Sequence, residues 1–361
     1  MAGMGVKFFS NTIGREFIMD EGCRYMNYLG RVTNNAMWVT LPRKPTAGST
    51  IYFILENGAN ELATANIDRI ATFYDVKLSE DRQSIQYGIT NMGAGLIYGN
   101  VSPYDRKYPE MSFPLHVFEI GGASPAAGFG FGIYGGSDYN VIVDGRTAGA
   151  CVWKYSGKVK SGFAIPTTIP AYNNAIVYAR WNLQTHGIKL SSDKKIFIYT
   201  DQSANVDTTT ELDMQLVVFS SGFDIPETPI GINIRNEANQ ITFSSDYPPL
   251  RLRNTMHYPK WNGTSWPGTF DVADLPIADG MVPLVRSYGT FIRPTTIDNI
   301  DNRFRHVVLN AACRMYDNKI QVFQGGEVMV SGIPLGQAWV PVVTGSVVIL
   351  PIPIISASDY F

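Results

Sequence analysis

The feature of this sequence that most constrains its fold is a pattern that occurs three times along the chain. Each copy begins with a glycine and alternating apolar positions, continues through a polar turn, and ends in a second apolar run. The first runs are Gly5–Phe9, Gly130–Tyr134 and Gly231–Arg235, and the second runs are Phe17–Asp20, Val141–Asp144 and Ile241–Ser244. The second run begins 12, 11 and 10 residues after the glycine, and hairpin loops tolerate such a drift. Each copy therefore predicts a β-hairpin.

Two further patterns recur later in each copy. The first is an alternating run, a turn that contains Asp, and another alternating run, which predicts a strand–turn–strand unit. Its three occurrences are Val76–Asp81 with Ser84–Tyr87, Ile188–Asp193 with Ile196–Tyr199, and Cys313–Asn318 with Ile320–Phe323. The second is an apolar run that closes the copy, and its occurrences are Leu115–Phe118, Leu216–Phe219 and, as the expected counterpart in the third copy, Val347–Leu350.

The ordered recurrence of these patterns predicts three tandem β-domains, at residues 1–128, 129–228 and 229–361. Residues 121–128 are rich in Gly, Pro and Ala, and residues 224–229 are rich in Pro, as linkers are. Each copy holds six to eight candidate strands, which fits a two-sheet sandwich. We therefore expect an all-β chain of three β-sandwich-like domains, the third enlarged by an insertion at 257–279.

Helices are poorly represented among the patterns. The best helical candidate is 298–312, although its Val307–Leu309 cluster fits a strand equally well. Aromatic residues make up 12% of the chain, and its Gly and Pro content is slightly above average, a mixture that favours strands joined by turns.

The charge and hydropathy of the chain argue against several classes of protein. Lys and Arg number 29 against 31 Asp and Glu, so no basic surplus exists to bind nucleic acid. The longest apolar run, Val347–Ile355, is broken by two prolines and is too short for a membrane helix. The first nine residues lack the regions of a signal peptide. Only 17% of residues are charged, against roughly 25% in a typical domain, which favours a surface partly covered by other chains.

No pattern in the sequence predicts a cofactor or a metal. Cys23, Cys151 and Cys313 match neither a zinc spacing nor a disulfide framework, so we expect buried free thiols in a protein made in a reducing cytosol. The segment Gly130–Gly135 matches the G-x-G-x-x-G pattern of dinucleotide sites, but a strand-like run follows it where such a site needs a helix. We interpret its glycines as those of a tight hairpin.

The histidines and acidic clusters do not predict a catalytic site either. The four histidines are isolated from one another, and His116 lies in a strand-like run, where a structural role is expected; the others are His186, His257 and His306. The acidic residues of 298–302 and those at Asp271, Asp274 and Asp279 lack the ligand series of an EF-hand, so we expect solvated turns. The sequence thus predicts no catalytic residue, and we expect the chain not to be an enzyme.

The loop at 257–270 is the best candidate for a contact with a partner or receptor. It places Tyr258, Trp261, Trp266 and Phe270 among turn-forming residues, with the amide of Asn262 beside them. Flat rings with neighbouring amides suit a sugar face or a protein partner. Three interpretations stay open, namely contact with a host surface, an interface between subunits, and packing within the insertion.

The opening of the third copy, residues 231–251, resembles the signature start of small tail-tip and tail-fibre-associated proteins of tailed bacteriophages. The shared features are the glycine, an apolar strand, an Asn-rich turn, the phrase Thr242–Ser245 and the stretch Tyr247–Leu250. The resemblance is local. The other copies repeat it only in Asp20 and Asp144, at the end of the second run.

This resemblance implies a structural virion protein of a tail tip, baseplate or fibre attachment, made in the host cytoplasm. Such a protein would act by oligomeric assembly in three or six copies, with other copies of itself and other tail proteins as partners. A host glycan or outer-membrane receptor would meet the loop at 257–270. The alternative is a carbohydrate-binding adhesin or receptor-binding protein whose affinity lies in that loop. A third hypothesis, a glycan-degrading enzyme, lacks an identifiable pair of acidic residues.

Overall fold

The structure is a computed structural model, and it describes residues 5–20, 24–33, 38–64, 67–93, 112–121, 130–133, 140–143, 149–200, 205–235, 239–257, 259, 271–298, 303–334 and 344–361. Strands hold 57% of the residues and helices 3%, so the prediction of an all-β chain is confirmed. Among the described residues, two short 3₁₀ helices occur, at Tyr172–Asn174 and Ala357–Asp359. Within the described ranges, no helix has the length and apolar character needed to span a membrane.

The first segment, residues 1–128, forms three antiparallel groups of strands. Its strands are β1 (Gly5–Ser10), β2 (Arg15–Asp20), β3 (Arg24–Tyr25), β4 (Asn27–Val32), β5 (Trp38–Thr40), β6 (Thr50–Leu55), β7 (Ala59–Thr64), β8 (Ile67–Leu78), β9 (Ser84–Gly93) and β10 (Leu115–Ile120). Strands β1 and β2 form a hairpin, a three-stranded sheet has the order β4–β10–β6, and a four-stranded sheet has the order β5–β9–β8–β7.

The second segment, residues 129–228, has the same kinds of group. Its strands are β11 (Gly130–Ile133), β12 (Asn140–Val143), β13 (Ala150–Val159), β14 (Phe163–Ala164), β15 (Ile176–Trp181), β16 (Leu183–Leu190), β17 (Lys195–Thr200) and β18 (Leu212–Ser220). Strands β11 and β12 form a hairpin, β13–β18–β15 are neighbours in one sheet, and β14–β17–β16 are neighbours in another.

The third segment, residues 229–361, follows the same plan with longer strands. Its strands are β19 (Asn233–Arg235), β20 (Ile241–Ser244), β21 (Arg251–Leu252), β22 (Asn254–Met256), β23 (Val272–Asp274), β24 (Gly280–Pro283), β25 (Gly289–Asp298), β26 (Arg303–Tyr316), β27 (Lys319–Pro334), β28 (Thr344–Val347) and β29 (Ile352–Ser356). Strands β19 and β20 form a hairpin, β22–β29–β24 are neighbours, and β23 pairs with β27, which pairs with β26. The candidate helix at 298–312 is wrong, since β25 and β26 occupy its described part.

One strand order therefore occurs in all three segments. The last strand of each segment lies between two earlier ones, in the orders β4–β10–β6, β13–β18–β15 and β22–β29–β24. The closing strand of the third segment is β29, so the prediction of Val347–Leu350 for this role is wrong. Val347 ends β28 and Ile349 is 37% exposed, whereas Ile352, Ile354 and Ile355 of β29 are buried. The apolar side chains that a central strand needs lie after Pro351.

The strand–turn–strand units predicted from the sequence are confirmed as β8–β9, β16–β17 and β26–β27. The first two turns also share their hydrogen bonds. The amide of Arg82 donates to the carbonyl of Ser79 at 2.9 Å, and the amide of Lys194 donates to the carbonyl of Ser191 at 3.1 Å. In each turn the serine hydroxyl donates to the aspartate two residues later.

The basic residue of each turn reaches the same part of its segment. The Arg82 guanidinium donates to the carbonyl of Thr46, at 3.3 Å, shortly before β6. The Lys194 ammonium donates to the carbonyl of Ala175, at 3.0 Å, directly before β15. Both residues have a positive φ, 59° and 53°, which ordinary side chains adopt at some cost. The first two segments therefore share the main-chain hydrogen bond of this turn as well as the strand order.

The buried core does not divide at the predicted domain boundaries. One hydrophobic cluster contains Phe73, Val177 and Ile354, one from each segment, together with many neighbours. A second cluster contains Phe118 and Phe219 from two closing strands and residues of the third segment. In β10, for example, Leu115 and Val117 belong to the first cluster and Phe118 and Ile120 to the second, as expected for a central strand covered on both faces. The division into three β-sandwich domains stays a prediction.

Candidate functional site

The five candidate contact residues lie outside the described residues. These are Tyr258, Trp261, Asn262, Trp266 and Phe270. The described residue before them, His257, places its Nδ1 atom 3.0 Å from the carbonyl oxygen of Ile349. Strands β22 and β23, which flank the loop at 257–270, belong to different sheets. The predicted role of this loop stays a prediction.

The three predicted hairpins are confirmed, and they lie next to one another. The rings of Phe8 and Phe243 meet edge to face with centroids 5.7 Å apart. The Ser10 hydroxyl donates to the carbonyl of Asp246 at 3.0 Å, and the side-chain amide of Asn11 donates to the Asp246 carboxylate at 2.9 Å. The hairpin β11–β12 contacts β19 and β20. Equivalent elements that are more than 100 residues apart in sequence thus form one cluster.

The residues that follow the hairpins meet in a closed ring of main-chain hydrogen bonds. The amide of Met26 donates to the carbonyl of Leu250 at 3.1 Å, and the amide of Leu250 donates to the carbonyl of Gly149 at 2.6 Å. The amide of Gly149 donates back to the carbonyl of Met26 at 3.4 Å. Each residue donates once and accepts once, in the same direction around the ring.

The three ring residues are equivalent in the recurring strand order. In each segment, the residue four positions after the ring residue pairs with a buried aliphatic residue of the closing strand. These pairs are Gly30 with Val117, Trp153 with Val218, and Asn254 with Ile354, and the intervals are 26 to 30, 149 to 153 and 250 to 254. Head-to-tail contacts between equivalent sites form a closed ring when a rotation relates the sites to one another. The ring is therefore a local pseudo-threefold centre within one chain.

The packing at the ring leaves little space. Met26 and Leu250 are fully buried. A Cβ atom at Gly149 would lie 3.3 Å from the Cβ of Leu250 and 3.4 Å from the ring of Phe118, so a larger side chain would push the strands apart. The glycine allows the close approach that the ring requires.

Tyr360 holds the third segment's side of the ring. Its side chain is fully buried, and its hydroxyl donates to the carbonyl of Pro249 at 3.0 Å. The same hydroxyl accepts the amide hydrogen of Arg251 at 3.1 Å. Pro249 and Arg251 are the chain neighbours of Leu250. Burial raises the pKa of Tyr360 well above its ordinary value, so the hydroxyl keeps its proton.

A buried ion pair stabilises the same region. The Asp359 carboxylate lies 3.2 Å from the Arg251 guanidinium, and the two side chains are only 6% and 4% exposed. Arg253 donates to the other oxygen of Asp359 at 2.8 Å. Such a pair costs desolvation when it forms, and removal of one partner leaves a buried charge.

A polar cavity of about 200 Å³ lies where the three segments meet. Its charged lining comes from all of them, with Arg31, Glu56 and His116 from the first, Lys194 from the second and Arg286 from the third. Arg31 donates to both oxygens of Glu56. The Nε2 atom of His116 lies 3.0 Å from Glu56, and His116 is 1% exposed.

The electrostatics of this cavity follow from burial and these contacts. Burial alone would raise the pKa of Glu56, but hydrogen bonds from His116 and Arg31 outweigh it and hold this pKa at about 2. Burial lowers the pKa of His116, and Glu56 opposes that shift. Burial also lowers the pKa of Lys194. Glu56 is therefore ionised over the physiological range of pH.

Several other sequence predictions can be compared with the structure. Cys151 and Cys313 are buried free thiols, as predicted, and burial raises the pKa of Cys151 to about 12; Cys23 lies outside the described residues. Among the described residues, no group of three or more His, Cys, Asp and Glu side chains could hold a metal ion. Gly130–Ile133 is a hairpin strand, as predicted for the G-x-G-x-x-G segment.

A family model matches residues 5–331 of the chain, and the family is described as one of unknown function, DUF6453. The chain belongs to the DUF6453 family. No curated protein and no solved structure matches the chain. The DUF6453 match begins at the first residue of β1 and ends within β27, so it crosses both predicted domain boundaries. Membership of this family assigns the chain no activity.

Sequence reasoning did not identify the ring residues or the charged cavity. Met26 and Leu250 look like ordinary core residues, and Glu56 is a single acidic residue after an apolar run. One signal was visible, namely the Ser-x-Asp-basic sequence at 79–82 and 191–194. That sequence marks equivalent turns, and the second of them brings Lys194 to the cavity.

Proposed function

We propose that this chain is a structural protein of a tailed bacteriophage particle, in the tail tip, baseplate or fibre attachment. It acts by assembly with other copies of itself and with other tail proteins, and not by catalysis. The pseudo-threefold ring of Met26, Gly149 and Leu250 carries the proposal. A chain that closes three equivalent segments around one centre presents related surfaces in three directions, which suits a particle built on rotational symmetry. The resemblance of residues 231–251 to tail-tip proteins supports the same function.

In this proposal, residues 1–128, 129–228 and 229–361 are three copies of one β-sandwich-like domain. Each copy has a sheet with its closing strand in the centre and a second sheet built on a strand–turn–strand unit. The first hydrophobic cluster includes residues of both kinds of sheet, such as Val117 of β10 and Phe73 of β8, which supports a sandwich. The copies share one core instead of standing apart on linkers.

The insertion at 257–279 is the contact with a partner in this proposal. The strands that flank its candidate residues, β22 and β23, belong to different sheets. The candidate residues are Tyr258, Trp261, Asn262, Trp266 and Phe270. The loop then adds a surface to the third segment alone, which would distinguish this segment from the other two.

Mass spectrometry of purified virions, combined with light scattering of the isolated chain, tests the proposal. We expect the chain in the particle, and an oligomer or a stable complex with another tail protein in solution. Its absence from virions, together with a monodisperse monomer that binds no virion protein at high concentration, would overturn the proposal. Binding to purified host lipopolysaccharide that is lost in Trp261→Ala or Trp266→Ala would favour the adhesin alternative.

A further inference from the structure

The cavity between the three segments has more positive than negative charge. Arg31, Lys194 and Arg286 bring three cationic groups to its wall, and Glu56 brings the single carboxylate. A fourth cation, Lys189, lies close enough to Arg286 for their charges to interact; burial, with a smaller effect from Arg286, lowers the pKa of Lys189 to about 8. A buried charge is costly unless it is paired, and this cost applies to Lys194, whose side chain is 7% exposed.

The carboxylate of Glu56 is already engaged. Arg31 holds both of its oxygens, and His116 lies 3.0 Å from one of them. Glu56 therefore neutralises Arg31. It also interacts with the charge of Lys194, but one carboxylate does not balance the three cations of the lining.

Lys194 and Arg286 are the cations that remain. The Lys194 ammonium is largely buried, and its acceptor is the neutral carbonyl of Ala175. Arg286 is exposed at the cavity wall, and its amide donates to the carbonyl of Glu56 at 2.8 Å, which fixes the backbone beside the carboxylate. The exposed hydroxyl-bearing residue Ser192 lines the same wall. Lys194, Arg286 and the Ser192 hydroxyl thus line a cavity in which the cations among the described lining residues outnumber the carboxylate of Glu56.

We propose that this cavity binds a small tetrahedral oxyanion such as inorganic phosphate. Lys194 and Arg286 supply the charge, and the hydroxyl of Ser192 supplies a further donor. The volume of about 200 Å³ is below the roughly 300–1,000 Å³ of pockets that hold drug-sized molecules, which favours a free ion over a larger phosphate ester. A bound anion bridges the second and third segments next to the first, so it stabilises their junction.

Calorimetric titration of the full chain with inorganic phosphate at pH 7, with sodium chloride at matched ionic strength as reference, tests this site. We expect saturable binding of one phosphate per chain and a melting temperature that rises with phosphate and reaches a plateau. Glycerol phosphate should bind at least tenfold more weakly, whereas equal affinity would assign the site to a phosphate group of a larger molecule and overturn the free-ion proposal.

Arg286→Gln should weaken phosphate binding at least tenfold, because Arg286 is exposed and its removal need not disturb the core. Lys158→Gln removes an exposed lysine that pairs with Asp213 and does not line the cavity, so this variant should bind phosphate like the parent chain. Equal phosphate affinity of parent and Arg286→Gln would overturn the proposal. The proposal would also be overturned if phosphate raised the melting temperature of the parent chain no more than chloride does. This result does not depend on the folding of any variant.

Discussion

The first segment and the other two are built on the same strand order but are joined to the molecule in different ways. The second and third segments share sheets, because β15 pairs with β24 and β16 pairs with β26. Of the strands that the structure describes, the sheets β4–β10–β6 and β5–β9–β8–β7 contain only strands of the first segment. Equivalent segments thus need not make equivalent contacts, even where their chains close a ring.

The first segment is attached by short contacts instead of long ladders. Strands β3 and β21 pair over two residues, and the amide of Gly58 donates to the carbonyl of Ser287 at 2.7 Å. The hydroxyls of Thr72 and Thr290 lie 2.6 Å apart in the buried interface. A region held by few main-chain bonds opens before one held in a continuous sheet. We therefore expect the first segment to separate before the other two separate from each other.

Removal of the carboxylate beside the ring should have the largest effect. Asp359→Ala leaves the guanidinium of Arg251 buried without this partner, which should cost about 3–5 kcal/mol in the free energy of unfolding. Urea unfolding measures this loss. The control Asp213→Ala breaks an exposed pair with Lys158 and should leave the midpoint unchanged. A loss no larger than that of the control would show that the ring region does not hold the segments together.

Loss of charge at Glu56 should loosen the first segment in particular. The pKa of Glu56 is about 2 in the folded protein against 4.5 ordinarily, so its ionised form contributes stability that is complete above pH 4.5 and is lost as the pH falls toward 2. The difference of pKa corresponds to about 3 kcal/mol. Glu56→Gln should lose about this amount at pH 7.

Urea midpoints between pH 7 and pH 2.5 test this assignment. The gap between the parent chain and Glu56→Gln should narrow below pH 4.5, whereas Glu80→Gln, at an exposed position in the β8–β9 turn, should follow the parent at every pH. A gap of constant size down to pH 2.5 would assign the effect to something other than the charge of Glu56.

A smaller effect should come from the hydroxyl pair between the first and third segments. A double-mutant cycle of Thr72→Val and Thr290→Val should give a coupling energy of about 1 kcal/mol, as expected for one buried hydrogen bond. Thermal or urea unfolding of the four proteins provides the measurement. Strictly additive losses would mean that the two hydroxyls do not interact across this interface.

Local elements of this fold could be predicted from the sequence, but their assembly could not. The hairpins and the strand–turn–strand units depend on alternation and on turn residues within about 15 positions, and these were found. The shared core depends on contacts between segments, and nothing in the pattern around Phe118 or Ile355 shows which segment covers it. The closing strand of the third segment was misplaced because Val347–Leu350 is the more continuous apolar run, while β29 tolerates Pro353 opposite Thr255.

The charged cavity was equally beyond sequence reasoning. Glu56, Lys194 and Arg286 are separated by more than 90 residues each, and their charges become important only when the turn at 191–194 is folded against the end of β6. His116 lies in a strand, as its sequence context predicts, whereas its neighbour Glu56 has no local signature.

Native-state hydrogen exchange of the amides of Met26, Gly149 and Leu250 tests the closed ring most directly. Detachment of the first segment breaks the hydrogen bonds of Met26 and Gly149 at once, so these two amides should exchange with one shared free energy. The Leu250 amide, which donates within the joined second and third segments, should be protected at least as strongly. Exchange of the Met26 amide at the rate of an exposed loop, while the Gly149 amide stays protected, would contradict a ring that unites three equivalent segments.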